Sequence, residues 1–280
     1  MLFDNIKKIY QRINWRVLDY RYKVHKNAGI CFAYYLIMSI VPICSLCAFF
    51  ASILNIDLQP AEQFLQNYLT PEFASIIIGA LESDHITLSS IVVLGISLFV
   101  VSRGINQLYG ISKNLFPPTH ERHAITEQIL MLFKTAAVFL LLILIIAILT
   151  FFPLISFYFN YHNQIFFDNL YLFLGFFIIL FLLYKIIPDV HVHIADIIKG
   201  AACASLLIVI LLGILQVYFS YADYTAVYGA LASITVILIS FTLIAEMIYI
   251  GMYVMFEAHM KRLIDELRGQ MAKEKAEPQA

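Results

Sequence analysis

The chain has 280 residues, 61% of them hydrophobic and 13% charged, with a net charge of −1 and a mean hydropathy of +0.84. Soluble domains carry about 25% charged residues, so half that fraction excludes a water-soluble globule of this size. The near-zero net charge excludes bulk attraction to nucleic acid.

Residues 1–28 read as a basic, amphipathic segment, with Phe3, Ile6, Ile9, Tyr10, Ile13, Val17 and Tyr20 set among seven Lys and Arg residues. A cleavable signal is not expected, because the apolar run that follows is too long for an h-region and reads as an uncleaved start-transfer segment. The segment is expected to lie on the inner leaflet, where each base near anionic lipid adds ~1 kcal/mol. A topogenic flank with no other role is the plainer alternative.

Six apolar runs then reach the ~20 residues that a helix needs to cross a bilayer core. They cover about Gly29–Leu54, Ile86–Tyr109, Thr135–Phe157, Leu170–Ile187, Gly200–Phe219 and Tyr228–Phe256. Together they predict an all-α, polytopic membrane domain over 29–256. The connection 55–85 carries apolar residues at helical spacing, including Phe64, Leu65, Tyr68 and Leu69, and a Thr70-Pro71-Glu72 helix start. It predicts amphipathic helices at the outer interface. Residues 257–280 extend the last helix into water and then lose their helical pattern as polar residues and Pro take over.

One threading puts all 18 basic residues on one side. Lys7, Lys8, Arg12, Arg16, Arg21, Lys23 and Lys26 precede the first span. Arg103, Lys113, Arg122 and Lys134 flank the second connection, Lys185 and Lys199 the fourth. Lys261, Arg262, Arg268, Lys273 and Lys275 follow the last span. The other side holds only acids, among them Asp57, Glu62, Glu72, Asp168 and Asp223. The positive-inside rule then predicts cytoplasmic N and C termini.

Candidate functional residues are the polar ones inside these runs. Glu246 is an acid within the sixth span, which costs ~2.5–3.5 kcal/mol at a bilayer centre. Thr235, Thr242 and Tyr249 recur every seventh residue, and Glu246 and Tyr253 fall on the same stripe. The stripe predicts either a substrate or proton path or a seam that glues helices. Arg103 either snorkels to the interface or turns inward to pair with an acid or a lipid phosphate. Ser39 is a polar member of the first span, and Pro42 predicts a kink there.

Four cysteines, Cys31, Cys44, Cys47 and Cys203, sit in apolar runs. Cys44 and Cys47 have C-x-x-C spacing without a second pair, so they read as small packing residues. His191, His193 and Asp196 lack a further firm ligand, and their loop reads as a solvated connector. No metal, cofactor or catalytic residue is predicted. The sequence contains no Walker A loop, H-E-x-x-H or G-x-S-x-G motif.

Several passages combine into a family pattern. Ala33–Pro42 (AYYLIMSIVP), Ser102–Phe116 (SRGINQLYGISKNLF), Ile187–Ala201 (IPDVHVHIADIIKGA) and Tyr228–Ile239 (YGALASITVILI) resemble the YihY/BrkB family of bacterial inner-membrane proteins. The last span departs from the family's Gly-Ala-Glu close: Gly251 matches, but Met252 and Tyr253 follow it and the acid stands earlier, at Glu246. The resemblance implies six spans and an inner-membrane location. It also implies roles linked to serum resistance and to export of envelope lipid precursors, while the family's old ribonuclease label finds no nuclease chemistry here. The function expected from both readings is a transporter or flippase of an amphiphilic envelope lipid, with membrane lipids, including anionic headgroups, as partners and no nucleic acid. A non-catalytic membrane scaffold is the alternative.

Overall fold

The computed structural model describes residues 14–39, 88–117, 125–138, 164–221 and 232–276, together with residues 59 and 78. Among the described residues the secondary structure is helical throughout, with no strand. We label the helices α1 (14–23), α2 (Ala28–Ser39), α3 (Leu88–Leu115), α4 (125–138), α5 (Gln164–Ile186), α6 (Ile194–Tyr221) and α7 (Ala232–Ala276).

Local chemistry sets the breaks. Pro188 disfavours helical backbone in the residue before it, and α5 ends two residues earlier, at Ile186. His193 opens α6: its carbonyl accepts from the Asp196 and Ile197 amides, at 2.9 and 3.2 Å. Its Nδ1 accepts from the Ala195 amide at 3.2 Å. Side-chain and carbonyl acceptors of this kind satisfy the orphan donors of a helix start. His25 caps α2 in the same way, accepting from the Asn27 and Ala28 amides.

Among the described residues, two helices are long and apolar enough to cross a membrane, Ile194–Tyr218 and Thr235–Ala272, and only 33% of each apolar window is buried in the protein. The core helix of a soluble protein would be mostly buried, so the low figure matters. The exposed apolar residues form ridges rather than scattered points. Leu206, Ile210, Ile214 and Val217 line one face of α6, and Leu170, Leu174 and Ile178 line one face of α5. Contiguous exposed apolar surface of this kind marks contact with lipid or protein.

The second, fourth and fifth expected spans coincide with α3, α5 and α6. The sixth begins among residues outside the described set and continues as α7, whose helix persists to Ala276. For the first and third spans only the starts are described, as α2 and the end of α4. Pro42, Cys44, Cys47 and most of the outer connection 55–85 lie outside the described residues.

The core sits where α5, α6 and α7 meet, around Tyr184, Ala201, Ala204, Ile208, Ala245, Tyr249 and Met252. Close approach of α6 and α7 depends on two glycines. A Cβ on Gly200 would lie 2.6 Å from the Gly251 carbonyl oxygen and 2.7 Å from the Met255 Cβ. A Cβ on Gly251 would lie 2.6 Å from the Tyr184 hydroxyl and 2.8 Å from the Gly200 carbonyl oxygen, and would also strike Ala204. Small residues spaced four apart, here Gly200 and Ala204, let helix backbones approach without a hydrophobic drive.

Gly251→Val should therefore overpack this seam, at about 1–3 kcal/mol or more. Thermal unfolding in detergent should show a lowered midpoint. Gly110→Ala is the control, because a Cβ at Gly110 meets nothing within 4 Å. Its midpoint should hold or rise, since Ala exceeds Gly in helix propensity by ~1 kcal/mol.

Candidate functional site

The part of the α7 stripe formed by Glu246, Tyr249 and Tyr253 faces α1 and α2. The Tyr20 hydroxyl donates to Glu246 Oε2 at 2.9 Å. The carboxylate presses against Gly29, where a Cβ would lie 2.9 Å from Glu246 Cδ and closer still to Oε1. Glycine at 29 is thus what admits the carboxylate. One turn along α7, Tyr249 is fully buried, its ring 5.7 Å from Phe32, and its hydroxyl has no hydrogen-bond partner among the described residues. Further along, the Tyr253 hydroxyl donates to Asp19 at 2.8 Å, and its ring meets Tyr20 edge-on at 5.5 Å. Lys23 lies 3.9 Å from the centre of the Phe256 ring, a favourable cation–π position. Arg16 pairs with Glu257 at 3.0 Å. Burial first, then the Glu246 charge and hydrogen bond, push the Tyr20 phenol above its ordinary range, so it serves as a donor and not as an anion.

Glu246 is level with the first turn of α2, where the first apolar run begins. Measured along α7 it is inside the apolar layer; measured along α2 it is at that layer's edge.

Two further polar clusters sit at the same end. Lys134 on α4 donates to Asp189 at 2.7 Å and to the Ile187 carbonyl at 2.5 Å. Tyr109 on α3 also donates to Asp189, and Lys134 lies 4.2 Å from its ring centre. Both side chains of this ion pair are more than nine-tenths buried. Asp196, fully buried at the start of α6, is held by Arg262 of α7 through two hydrogen bonds of 2.9 Å, with Lys199 at 3.4 Å. Burial pushes the Asp196 carboxyl up, but the Arg262 hydrogen bonds and charge, with those of Lys199, outweigh it and hold it below the usual carboxylate range. Phe116, just past α3, packs against Phe256 and His259 of α7. The N-terminal helix, the end of α3, the α5–α6 connection and the exit of α7 therefore converge at one end of the bundle.

Other sequence candidates fall elsewhere. Arg103 is exposed, with its guanidinium 5.0 Å from the Phe99 ring centre, while Glu246 pairs with Tyr20. The Thr242 and Ser39 hydroxyls donate to carbonyls of their own helices, Leu238 and Tyr35. Thr235 is half-buried. Asp196 is engaged by Arg262, and His193 Nδ1 by the helix start, so neither faces a shared ligand. No group of three or more His, Cys, Asp or Glu side chains among the described residues is placed to hold a metal ion. Sequence reasoning passed over Tyr20, Gly29, Lys134 and Asp189. Asp189 lies in the motif IPDVHVHIADIIKGA, and an acid beside a helix-ending proline was the available signal.

The family model for virulence factor BrkB matches residues 24–277. The chain belongs to the BrkB family. No curated protein and no solved structure matches it. The BrkB match spans the start of the first apolar run through the end of α7, so it takes in Gly29, Asp189, Asp196 and Glu246. BrkB membership and the exposed apolar helices together mark the chain as a membrane protein.

Removing one partner of a buried ion pair typically costs 3–5 kcal/mol, while replacing both with apolar residues is often near neutral. Lys134→Met should lower the melting midpoint sharply, and Lys134→Met with Asp189→Leu should recover much of the loss. Asp196 supplies a pH test. Its folded pKa is depressed, so its contribution is present above the unfolded value and is lost as pH falls through the folded one. Melting midpoints should fall below about pH 4, and part of that fall should be missing in Asp196→Asn.

Proposed function

We propose that this chain is a multi-pass protein of the inner membrane, with cytoplasmic termini, that moves an amphiphilic envelope lipid or lipid-linked precursor across the bilayer. It acts by binding and releasing its cargo and not as an enzyme. The observation that carries this reading is Glu246, which accepts from Tyr20, one helical turn from a buried Tyr249 hydroxyl that has no hydrogen-bond partner among the described residues. Ionisable residues in membrane spans are costly and tend to mark substrate or ion pathways. A lipid headgroup brings hydroxyl and phosphoryl oxygens that such groups can meet.

The surroundings agree with the reading. Arg103 is exposed on α3 and offers a planar donor fork suited to phosphate. From there Thr235, Thr242, Tyr249, Glu246 and Tyr253 offer polar contacts along α7, with Ser39 on α2; Pro42, the other candidate of the first span, lies outside the described residues. The exposed ridges of α5 and α6 keep acyl chains in contact with the protein. The convergence of basic segments at one end supports a single-sided, cytoplasmic placement of those segments.

A scaffold reading is favoured by one observation, the long exit of α7, which carries exposed apolar residues beyond the bundle. The two readings separate in one experiment. Protein reconstituted in liposomes with fluorescent anionic lipids should speed their exchange between leaflets, and Glu246→Gln should reduce that rate about tenfold or more. Exchange no faster than in empty vesicles across several anionic lipids would contradict transport. A cellular phenotype that survives Glu246→Gln but not deletion of residues 257–280 would favour the scaffold.

A further inference from the structure

Beyond the bundle, α7 carries Met260, Ile264, Leu267 and Met271, which are 40, 45, 57 and 55% exposed. Their four-three-four spacing makes one apolar stripe, the pattern that pairs helices in coiled coils. The stripe sits among Lys261, Arg262, Asp265, Glu266 and Arg268, so this stretch is in water. An apolar stripe in water calls for a partner.

The face that bears this stripe continues the one that Tyr20, Asp19 and Arg16 already cover. Along α7 it runs from Glu246 through Tyr249, Tyr253 and Glu257 to Met260. The covering helix α1 runs antiparallel to it: Tyr20 meets Tyr253, Asp19 binds Tyr253, and Arg16 pairs with Glu257. Carried one residue back along the chain for each residue forward on α7, that register sets Ile13 against Met260 and Ile9 against Ile264. It sets Ile6 against Leu267 and Leu2 against Met271. Each apolar residue of the stripe meets an apolar residue, and the same four-three-four spacing appears in both segments.

We propose that the chain's own N-terminal residues 2–13 continue α1 and cover the Met260–Met271 stripe, forming an antiparallel helical pair that projects from the bundle. Helical periodicity puts Leu2, Ile6, Ile9 and Ile13 on the same face as Arg16 and Tyr20, the face that meets α7. The opposite side of α1 bears Trp15, Leu18 and Tyr22, all exposed. A segment that used its isoleucines to enter the membrane would have to turn away from the face α1 presents to α7. The stripe is only two heptads long, too short to pair as a free peptide, but the contacts of α1 already hold the two segments together at high effective concentration. The proposal is independent of what the bundle carries.

The test is photo-crosslinking in full-length protein in its native membrane. Benzoylphenylalanine is placed at Leu267 or Ile264, both exposed, with Glu266 on the far face as control. Mass spectrometry should find intrachain products joining these positions to the peptide that contains Ile6 and Ile9. Ile6→Asp with Ile9→Asp should cut the yield about tenfold, as for a short pair sustained by effective concentration, while the Glu266 probe should give little in either background. A product of twice the chain mass would assign the stripe to a second copy and overturn the proposal. Products with lipid alone, or none at both positions, would overturn it as well.

Discussion

Two glycines set the distance between α6 and α7, and that distance governs the rest of the bundle. In lipid the hydrophobic effect does not press helices together, because acyl chains are as apolar as leucine. What remains is close packing and hydrogen bonding. The Gly200–Gly251 contact lets the backbones meet, and it also leaves room for the Tyr184 hydroxyl to reach the Ile248 carbonyl at 2.5 Å. With α5, α6 and α7 locked together, α7 becomes a fixed post. The N-terminal helix binds it through Tyr20, Asp19 and Arg16, the α5–α6 connection through Asp196, and the end of α3 through Phe116.

The polar residues of the bundle divide into two kinds on the basis of their partners. Lys134 with Asp189, and Asp196 with Arg262, are opposite charges in contact, sited where connections meet helices. They fix which elements meet and have no obvious capacity left for a ligand. Glu246 is different: its described hydrogen-bond partner is a neutral phenol, beside a second phenol whose hydroxyl has no partner among the described residues. A carboxylate held this way keeps acceptor capacity. This contrast is why the transport reading rests on Glu246 and Tyr249 and not on the stronger ion pairs.

Much of the fold was legible in the sequence because lipid imposes long apolar runs, and such runs are local. The helices α3, α5, α6 and α7 appear where the runs are. The stripe of Tyr249, Glu246 and Tyr253 was also legible, since helical period is a local property. What it faces was not. The Tyr20–Glu246 bond joins residues 226 positions apart, and nothing in the spacing around either one names the other. The same holds for Lys134 and Asp189, which read as ordinary loop-flanking charges until packing brought them together. Of the two orientations open to Arg103, the structure shows the outward one, while Tyr20 of α1 donates to the Glu246 carboxylate.

The account stands on one arrangement: the basic segments share an end of the molecule, and that end faces the cytoplasm. The most direct test is to insert an epitope tag after Glu62 in one version and after Arg268 in another, and to probe intact cells whose outer barrier alone has been opened. The tag at 62 should be reached by antibody at once, and the tag at 268 only after the inner membrane is permeabilised. A tag at 268 that is reached first, or two tags reached from the same side, would contradict the arrangement and the transport reading built on it.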